Sequence, residues 1–295
     1  MRREVYDVTT VVAEAGRALS DLLQHYSVEV LPQHQKGIDA ACALLRPGSE
    51  VFVASLPNEG PDSVVAACTR LAKAGLEPVP HLAARNIRSE AEFESTIKRL
   101  TGEAGVHHAL VLGGDRDHAV GPYSCSQQII ETGFLQRYGI RRIALAAHPE
   151  GHPRVEDSIL WPALPAKLKA AEEAGLETHI VSQFAFDSAP MIALARRLRA
   201  SGITAPLRIG VAGPAARTTL IKYAMMCGVG PSLRALKERQ DLAKSVAAGE
   251  TPEALLREVA AARAAEPSLG IDGVHFFTFA ALETSIKFAE GLRLG

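Results

Sequence analysis

The sequence has little of what several large protein classes require. Its four cysteines, Cys42, Cys68, Cys125 and Cys227, lie far apart and form no CxxC pair, which argues against a disulfide framework or a structural zinc site. No apolar run approaches the roughly 18–20 residues that cross a bilayer. The first ten residues, MRREVYDVTT, lack the apolar core of a signal peptide. These absences predict a soluble, cytoplasmic protein with reduced thiols.

The sequence also lacks an excess of charge of one sign, and it lacks linkers or repeats that would divide it. The 295 residues carry a formal net charge of −1, which argues against binding to nucleic acid or to a membrane surface. No Pro-, Gly- or Ser-rich linker and no internal repeat divides the chain, so we expect residues 1–295 to form one domain. The chain also lacks a GxGxxG dinucleotide fingerprint and a GxSxG nucleophile elbow. A small-molecule partner is expected, and a homo-oligomer is compatible with the sequence.

What the chain does contain is a rhythm of eight short apolar runs, each but the last followed by a stretch of helical composition. The runs are SVEVLP, VFVAS, EPVPHLA, HALVLGGD, IALAAHP, THIVSQF, LRIGVAG and GVHFFTF. This alternation predicts an α/β fold, a (β/α)8 TIM barrel. An N-terminal helix is predicted over 9–25, packing outside the barrel or closing its bottom. Extra helices are predicted over 231–248 and 252–265, between strands 7 and 8.

Residues capable of chemistry follow the predicted strands, where the active site of such a barrel lies. The candidates are Glu29, Ser55, His81, Asp115, His148, Gln183 and the Gly213-Pro214 corner. In the first strand, Val28 and Val30 suit the layer between sheet and helices, so Glu29 points into the barrel. Desolvation there raises the pKa of a carboxyl group, which suits a proton donor. The alternative is that Glu29 pairs with a neighbouring Lys or Arg.

Two of these strand ends allow several interpretations. In LVLGGDRD, Gly113 and Gly114 permit close approach of a ligand to the backbone, while Asp115 could bind a ligand ring, bind metal with Asp117, or cap the turn. In AHPEGHP, the prolines exclude an HExxH-type metal helix around His148 and His152. A metal site that adds His81 is a weaker interpretation than loop shaping or ligand stacking.

Taken in order, six segments resemble the methylenetetrahydrofolate reductase family over nearly the whole chain. They are VEVLP, PHLAAR, LGGD, AAHPEGHP, SQFAFD and GVHFFTF. The resemblance implies a flavoprotein with FAD across the barrel top, and FMN is an alternative. It implies reduction of 5,10-methylenetetrahydrofolate to 5-methyltetrahydrofolate by a reduced nicotinamide, NADH or NADPH, with the reverse direction also open.

The resemblance also implies residue roles. Glu29 matches the family's acid, Asp115 the aspartate beside the flavin and the pterin, and Gln183 a folate-contacting glutamine; Phe277 stands where a substrate-contacting tyrosine is usual. The implied cofactor-binding residues are Ser55, His81, Gly113, Gly114, Asp115, Ala147, His148 and Lys167. No metal is implied.

The sequence also departs from the family pattern. Lys167 and Lys169 stand near the usual Arg-Lys pair, with alanines at 170 and 171; Gly113 and Ala281 replace usual arginines. These departures leave an alternative from another class, a pterin- or folate-binding barrel that transfers a one-carbon or methyl group without flavin. A third hypothesis is a non-catalytic relative that binds flavin, and Glu29, Asp115 and Gln183 argue against it.

Overall fold

Eight parallel strands close into a barrel in the computed structural model, which describes residues 8–57, 59–229 and 251–295. Strands adjacent in sequence are adjacent in the barrel, and the eighth pairs with the first. The predicted (β/α)8 TIM barrel is therefore confirmed. The strands are β1 Ser27–Val30, β2 Glu50–Val53, β3 Glu77–Ala83, β4 His108–Leu112, β5 Arg142–Ala147, β6 Glu177–Ser182, β7 Leu207–Ala212 and β8 Ile271–Phe277.

Helices surround this barrel, and the N-terminal one lies on its outside. The helices are α1 Val8–Leu22, α2 Gln35–Leu44, α3 Pro61–Lys73, α4 Glu90–Ala104, α5 Ser126–Glu131, α6 Phe134–Arg137, α7 Asp157–Glu173, α8 Ser188–Ala200, α9 Arg217–Cys227, α10 Glu253–Ala265 and α11 Leu282–Leu294. Helix α1 packs on α10 and α11, so it does not plug the barrel bottom. The helix predicted over 231–248 lies outside the described residues, and the one over 252–265 is α10. Within the described ranges, no helix is both long and apolar enough to cross a membrane.

Two apolar layers follow from strand parity, because successive side chains of a strand point to opposite faces. Val28, Val30, Ile143 and Leu145 pack in the outer layer between the strands and the helices. For Val28 and Val30 this is the layer that the parity of the first strand predicts. The inner layer fills the barrel and is small. Its buried members are Phe52, Val79, Leu110, Ala144 and Val181.

Charged side chains close the N-terminal end of the barrel. Nη2 of Arg142 lies 3.0 Å from Oε1 of Glu77 and 3.1 Å from Nδ1 of His108, and it also pairs with Glu50. Arg208 pairs with the second oxygen of Glu50. Among the described residues, Glu50, Glu77 and His108 are the one set spaced for a metal ion, and the Arg142 guanidinium supplies a cation there. We call the side chains of Glu50, Glu77, His108, Arg142 and Arg208 the basal ion cluster. In TIM barrels, residues at this end contribute to stability rather than to catalysis.

Helix α9 lies along the barrel mouth rather than returning down its outside. It begins just after β7, and Gly228, which caps its C-terminal end in the left-handed conformation (φ 69°), packs against Pro153 in the loop after β5. The ring of Tyr223 in α9 stacks on Phe279, just after β8, with centroids 4.4 Å apart. Both ends of α9 are therefore at the end of the barrel where the strands finish.

Candidate active site at the barrel mouth

Glu29 and His81 face each other inside the barrel mouth. Nε2 of His81 lies 3.6 Å from Oε2 of Glu29, and their side chains are 12% and 22% exposed. Burial, and then the negative charge of Asp115, raise the pKa of Glu29 to about 7. Burial lowers the pKa of His81 to about 4. At neutral pH the pair is therefore a neutral imidazole beside a carboxyl group that is protonated in a large fraction of molecules.

The alternative for Glu29, pairing with a lysine or arginine, does not occur among the described residues; the neutral imidazole of His81 is the one basic group within 4 Å of its carboxyl group there. Its backbone is held by the hydroxyl of Thr278, which donates to the Glu29 carbonyl oxygen over 2.7 Å. The side chain is therefore fixed at its base while its carboxyl group stays free of a cation. This is the environment that keeps a carboxylic acid protonated.

Gly113, Gly114 and Asp115 form the turn after β4. Gly114 has φ 93°, and a Cβ on it would lie 3.2 Å from Cβ of Ala83, whereas Gly113 faces open space. Asp115 is exposed, and its carbonyl oxygen accepts from Nη1 of Arg154 over 2.7 Å. The Asp115 carboxylate lies close enough to Glu29 to raise its pKa. The turn thus brings a negative charge and a bare backbone to the mouth.

Ser55 is held from the side by a chain of polar contacts. Nδ2 of Asn86 donates to Oγ of Ser55 over 3.2 Å, and Nε of Arg116 donates to Oδ1 of Asn86 over 3.1 Å. Arg116 also donates to the carbonyl oxygen of Pro57. The strand-end pattern in the sequence did not single out Asn86 or Arg116. Ser55 and His81 both line a pocket of about 570 Å³ that reaches between α3 and α4 and includes open solvent.

Gln183, Ala147 and Phe277 lie on the other side of the mouth. The backbone N–H of Gln183 donates to the Ala147 carbonyl oxygen over 2.7 Å, and Oε1 of Gln183 accepts from the Phe184 N–H over 3.0 Å. This leaves the amide Nε2–H2 group of Gln183 available as a donor. The Ala147 side chain packs in the outer layer, so any ligand contact it makes comes from its main chain. The Phe277 ring lies 5.3 Å from Phe184, and its carbonyl oxygen accepts from the Gly213 N–H.

His148 and Lys167 form a third part of the site. The rings of His148 and His152 meet edge to face at 4.9 Å, and Nδ1 of His148 is buried without a hydrogen-bond partner among the described residues. Burial, then His152 and Lys167, lower the pKa of His148 to about 4. Burial also lowers the pKa of Lys167, and the group that opposes this shift is the Cys125 thiol rather than a carboxylate. Lys169 instead points to solvent and pairs with Glu173.

Cys227, at the end of α9, is a mouth residue that the sequence assigned only to reduced core thiols. Burial, then Asp115 and Glu29, raise its pKa to about 11. The thiol therefore stays protonated near both carboxyl groups. No local pattern around Cys227 signals this position, because it depends on how α9 crosses the barrel. In the described parts of the chain, His81, His148 and His152 do not bring their nitrogens to metal-binding distances.

A protonatable carboxyl group at the mouth of a (β/α)8 barrel is an arrangement typical of barrel enzymes. A model of the family "Methylenetetrahydrofolate reductase" matches residues 54–290. The chain belongs to this family, so it is an oxidoreductase of the methylenetetrahydrofolate reductase type, acting in folate one-carbon chemistry. The resemblance seen in the sequence is thereby confirmed. Of the predicted site residues, Glu29 alone precedes the matched segment.

Among solved structures, dihydropteroate synthase from Thermus thermophilus is similar in shape. It is 15% identical, with a TM-score of 0.46, covering 92% of this chain and 95% of that chain. A similarity at this level carries no information about activity.

Proposed function

We propose that this protein reduces 5,10-methylenetetrahydrofolate to 5-methyltetrahydrofolate, with bound FAD and with NADH or NADPH as the electron donor. Glu29 is the observation that carries the proposal, because a carboxyl group with a pKa of about 7 can act as an acid at neutral pH. We further propose that the chain acts as a single cytoplasmic domain that binds a small-molecule folate, with no nucleic-acid or membrane partner, either alone or as a homo-oligomer.

The chemistry requires a proton before it requires a hydride. Glu29 protonates one of the two nitrogens that the methylene carbon joins. The bond between that nitrogen and the carbon breaks, and the carbon stays on the other nitrogen as an electron-poor iminium. A hydride then converts this carbon to a methyl group, so one proton and one hydride enter the product. Because the nitrogen that accepts the proton is weakly basic, a carboxylic acid is a better donor here than an imidazolium or ammonium group.

The residues of the third part of the site fit a flavin cofactor. Bound FAD would supply the hydride. His148 offers a buried nitrogen without a partner among the described residues, and Lys167 is a half-buried cation whose pKa no carboxylate raises, so a ligand phosphate would supply its countercharge. Gly113 and Gly114 leave the backbone after β4 uncovered. In this proposal Ser55, His81 and the Ala147 main chain complete the cofactor contacts.

The folate ring system would lie between Asp115, Gln183 and Phe277. Asp115 accepts hydrogen bonds from the ring, the amide NH2 group of Gln183 donates to it, and the Phe277 ring packs on its face. Gln183 cannot rotate freely, because its Oε1 already accepts from Phe184. Its donor is therefore oriented before a ligand arrives.

The experiment is to measure the two half-reactions separately without oxygen. Wild-type protein should be yellow, its flavin should be bleached by NADH or NADPH, and methylenetetrahydrofolate should restore the colour. Glu29→Gln should keep flavin reduction and lose at least about 100-fold in reoxidation by the folate, the size expected for loss of a general acid. Glu172→Gln, the same change at an exposed position on α7, is the matched control.

Full folate reduction by Glu29→Gln would refute the role of this acid. A wild-type protein that carries flavin but never passes electrons to methylenetetrahydrofolate would refute the reaction itself.

The orientation of Lys169 favours a second candidate function, transfer of a one-carbon or methyl group without flavin. Only Lys167 of the two predicted lysines faces the mouth, since Lys169 is 75% exposed, so the grip on a diphosphate is reduced. A flavin-free barrel that transfers a one-carbon or methyl group needs no such grip. A colourless protein that still binds methylenetetrahydrofolate in calorimetry, with no nicotinamide oxidation, would support this alternative.

A further inference from the structure

The proposed reaction gives the His81 side chain a cofactor contact but no part in the chemistry of Glu29, which it faces. Nε2 of His81 is buried and has no hydrogen-bond partner among the described residues. The atom that faces it is Oε2 of Glu29, at 3.6 Å. A buried imidazole nitrogen without a partner is costly. The two atoms lie about 0.4 Å beyond the usual N–H···O range, so the pair must close by that amount to form a hydrogen bond.

The surroundings of His81 fix its ring and its charge. The Phe52 ring packs against it edge to face at 6.1 Å, and β2, which carries Phe52, lies between β1 and β3. Three titratable groups act on the pair: Asp115 and Cys227 at the mouth and His275 below. None of them is a cation that could stabilise the Glu29 carboxylate.

We propose that His81 is a positioning residue for Glu29, whose Nε2–H donates to Oε2 of the carboxyl group and so leaves the transferable proton on Oε1. This inference rests on the proposed role of Glu29 as the acid. Once Glu29 has given up its proton, the same hydrogen bond stabilises the carboxylate that remains. An uncharged donor suits this task, because an imidazolium would hold Glu29 ionised and remove the proton before the folate could accept it.

The test compares two substitutions of one side chain. His81→Leu removes the donor, whereas His81→Gln places an amide N–H where Nε2 lay and cannot titrate. His81→Leu should slow folate reduction about 10-fold and move the alkaline limb of its pH profile upward by about one unit, because the carboxylate has lost its donor. His81→Gln should return both values to within about threefold of wild type. His25→Leu, at an exposed position before β1, is the control.

A second readout needs no turnover. The infrared carbonyl stretch of protonated Glu29, assigned by its absence in Glu29→Gln, should move to higher frequency in His81→Leu and return in His81→Gln. If wild type reduces no folate but the band behaves in this way, the proposed function fails and the pairing stands. The pairing is overturned if band and pH profile are unchanged in His81→Leu, or if both variants are impaired alike through loss of flavin.

Discussion

At the scale of single residues, the mouth depends on backbone conformations that few side chains tolerate. Gly114 adopts φ 93° beside Ala83. Phe279 and Ala280 follow β8 with φ 47° and 65°, a conformation that costs about 1–3 kcal/mol per residue without glycine. At Phe279, the stacking of the ring on Tyr223 stabilises this conformation. These strained residues lie next to candidate ligand contacts, so the shape of the site is maintained at a cost in folding stability.

Gly114→Ala should destabilise the protein by about 1–3 kcal/mol, since alanine is strained at this φ and its Cβ crowds Ala83. Chemical denaturation measures the loss, and flavin retention on gel filtration should fall with it.

Two control variants separate the causes of that loss. Gly139→Ala has positive φ (100°) but open space around it, and Gly102→Ala lies in open space within α4 without positive φ. Gly139→Ala should show the conformational cost alone, and Gly102→Ala should be neutral or slightly stabilising. Equal losses in Gly114→Ala and Gly102→Ala would contradict this account.

At the scale of elements, α9 has the position of a cover over the mouth. Leu220 and Ala224 of this helix pack with Phe184 and Ala212 at the ends of β6 and β7, and Tyr223 adds the stack on Phe279. The side chains of Met225 and Met226, 70% and 62% exposed, lie near its end. This helix packs against a small apolar cluster that is separate from the main core. Because that cluster is small, the aromatic stack is a large part of what attaches the helix to the barrel.

Tyr223→Ala should loosen α9 without unfolding the barrel. Loss of the stack removes about 0.5–1.5 kcal/mol beyond the buried area, so amide hydrogen exchange should rise in α9 while β4 and β5 stay protected. Folate reduction should fall, because the cover no longer excludes water. Met225→Ala, at an exposed position of the same helix, is the control, and uniform exchange across the barrel in Tyr223→Ala would be inconsistent with a local effect.

Most element positions could be predicted from the sequence, and the failures have identifiable causes. The composition of 124–138 predicts one helix, but this segment forms two, because Gly133 takes a left-handed conformation between them. The composition of 163–175 predicts the next helix, but α7 begins earlier, at Asp157, and has Pro162 and Pro165 inside it. The course of α9 could not be predicted, because it is set by contacts with Phe279 and Pro153, each far away in sequence.

At the scale of the whole molecule, the barrel interior is unusually polar. His108, His179 and His275 are buried inside it, and both ring nitrogens of His179 lack hydrogen-bond partners among the described residues. Strand parity, the signal that placed Glu29 inside the barrel, also places these histidines on the inward face of their strands. Their neutrality could not be predicted from the sequence, because it follows from burial in the closed barrel.

This interior should make the protein sensitive to acid. Burial lowers the pKa of His81, His108, His148, His179 and His275. Below about pH 6.5 these histidines are protonated in the unfolded chain but stay neutral in the folded chain. Each of them therefore lowers the free energy of unfolding by up to about 1.4 kcal/mol for every pH unit of acidification. Glu29 opposes this with one proton, because its folded pKa is raised. Urea denaturation should show a net loss on the order of 5 kcal/mol from pH 7 to pH 5.

A variant isolates one of these groups. His179→Leu removes one side chain that is protonated in the unfolded chain but not in the barrel interior. The free energy of unfolding of this variant should therefore depend less steeply on pH between about 7 and 5. His25→Leu should leave the slope unchanged. An identical slope in His179→Leu and wild type would show that the buried histidines are not the source.

The basal ion cluster and the candidate acid lie at opposite ends of the same eight strands. The loops that carry Asp115, His148 and Gln183 therefore sit far from the charges of Glu50 and Arg142. Insertions and exchanges in those loops leave the electrostatic foundation of the barrel intact. A lineage built on this scaffold is free to change its ligand by altering one rim, while the other rim preserves the architecture.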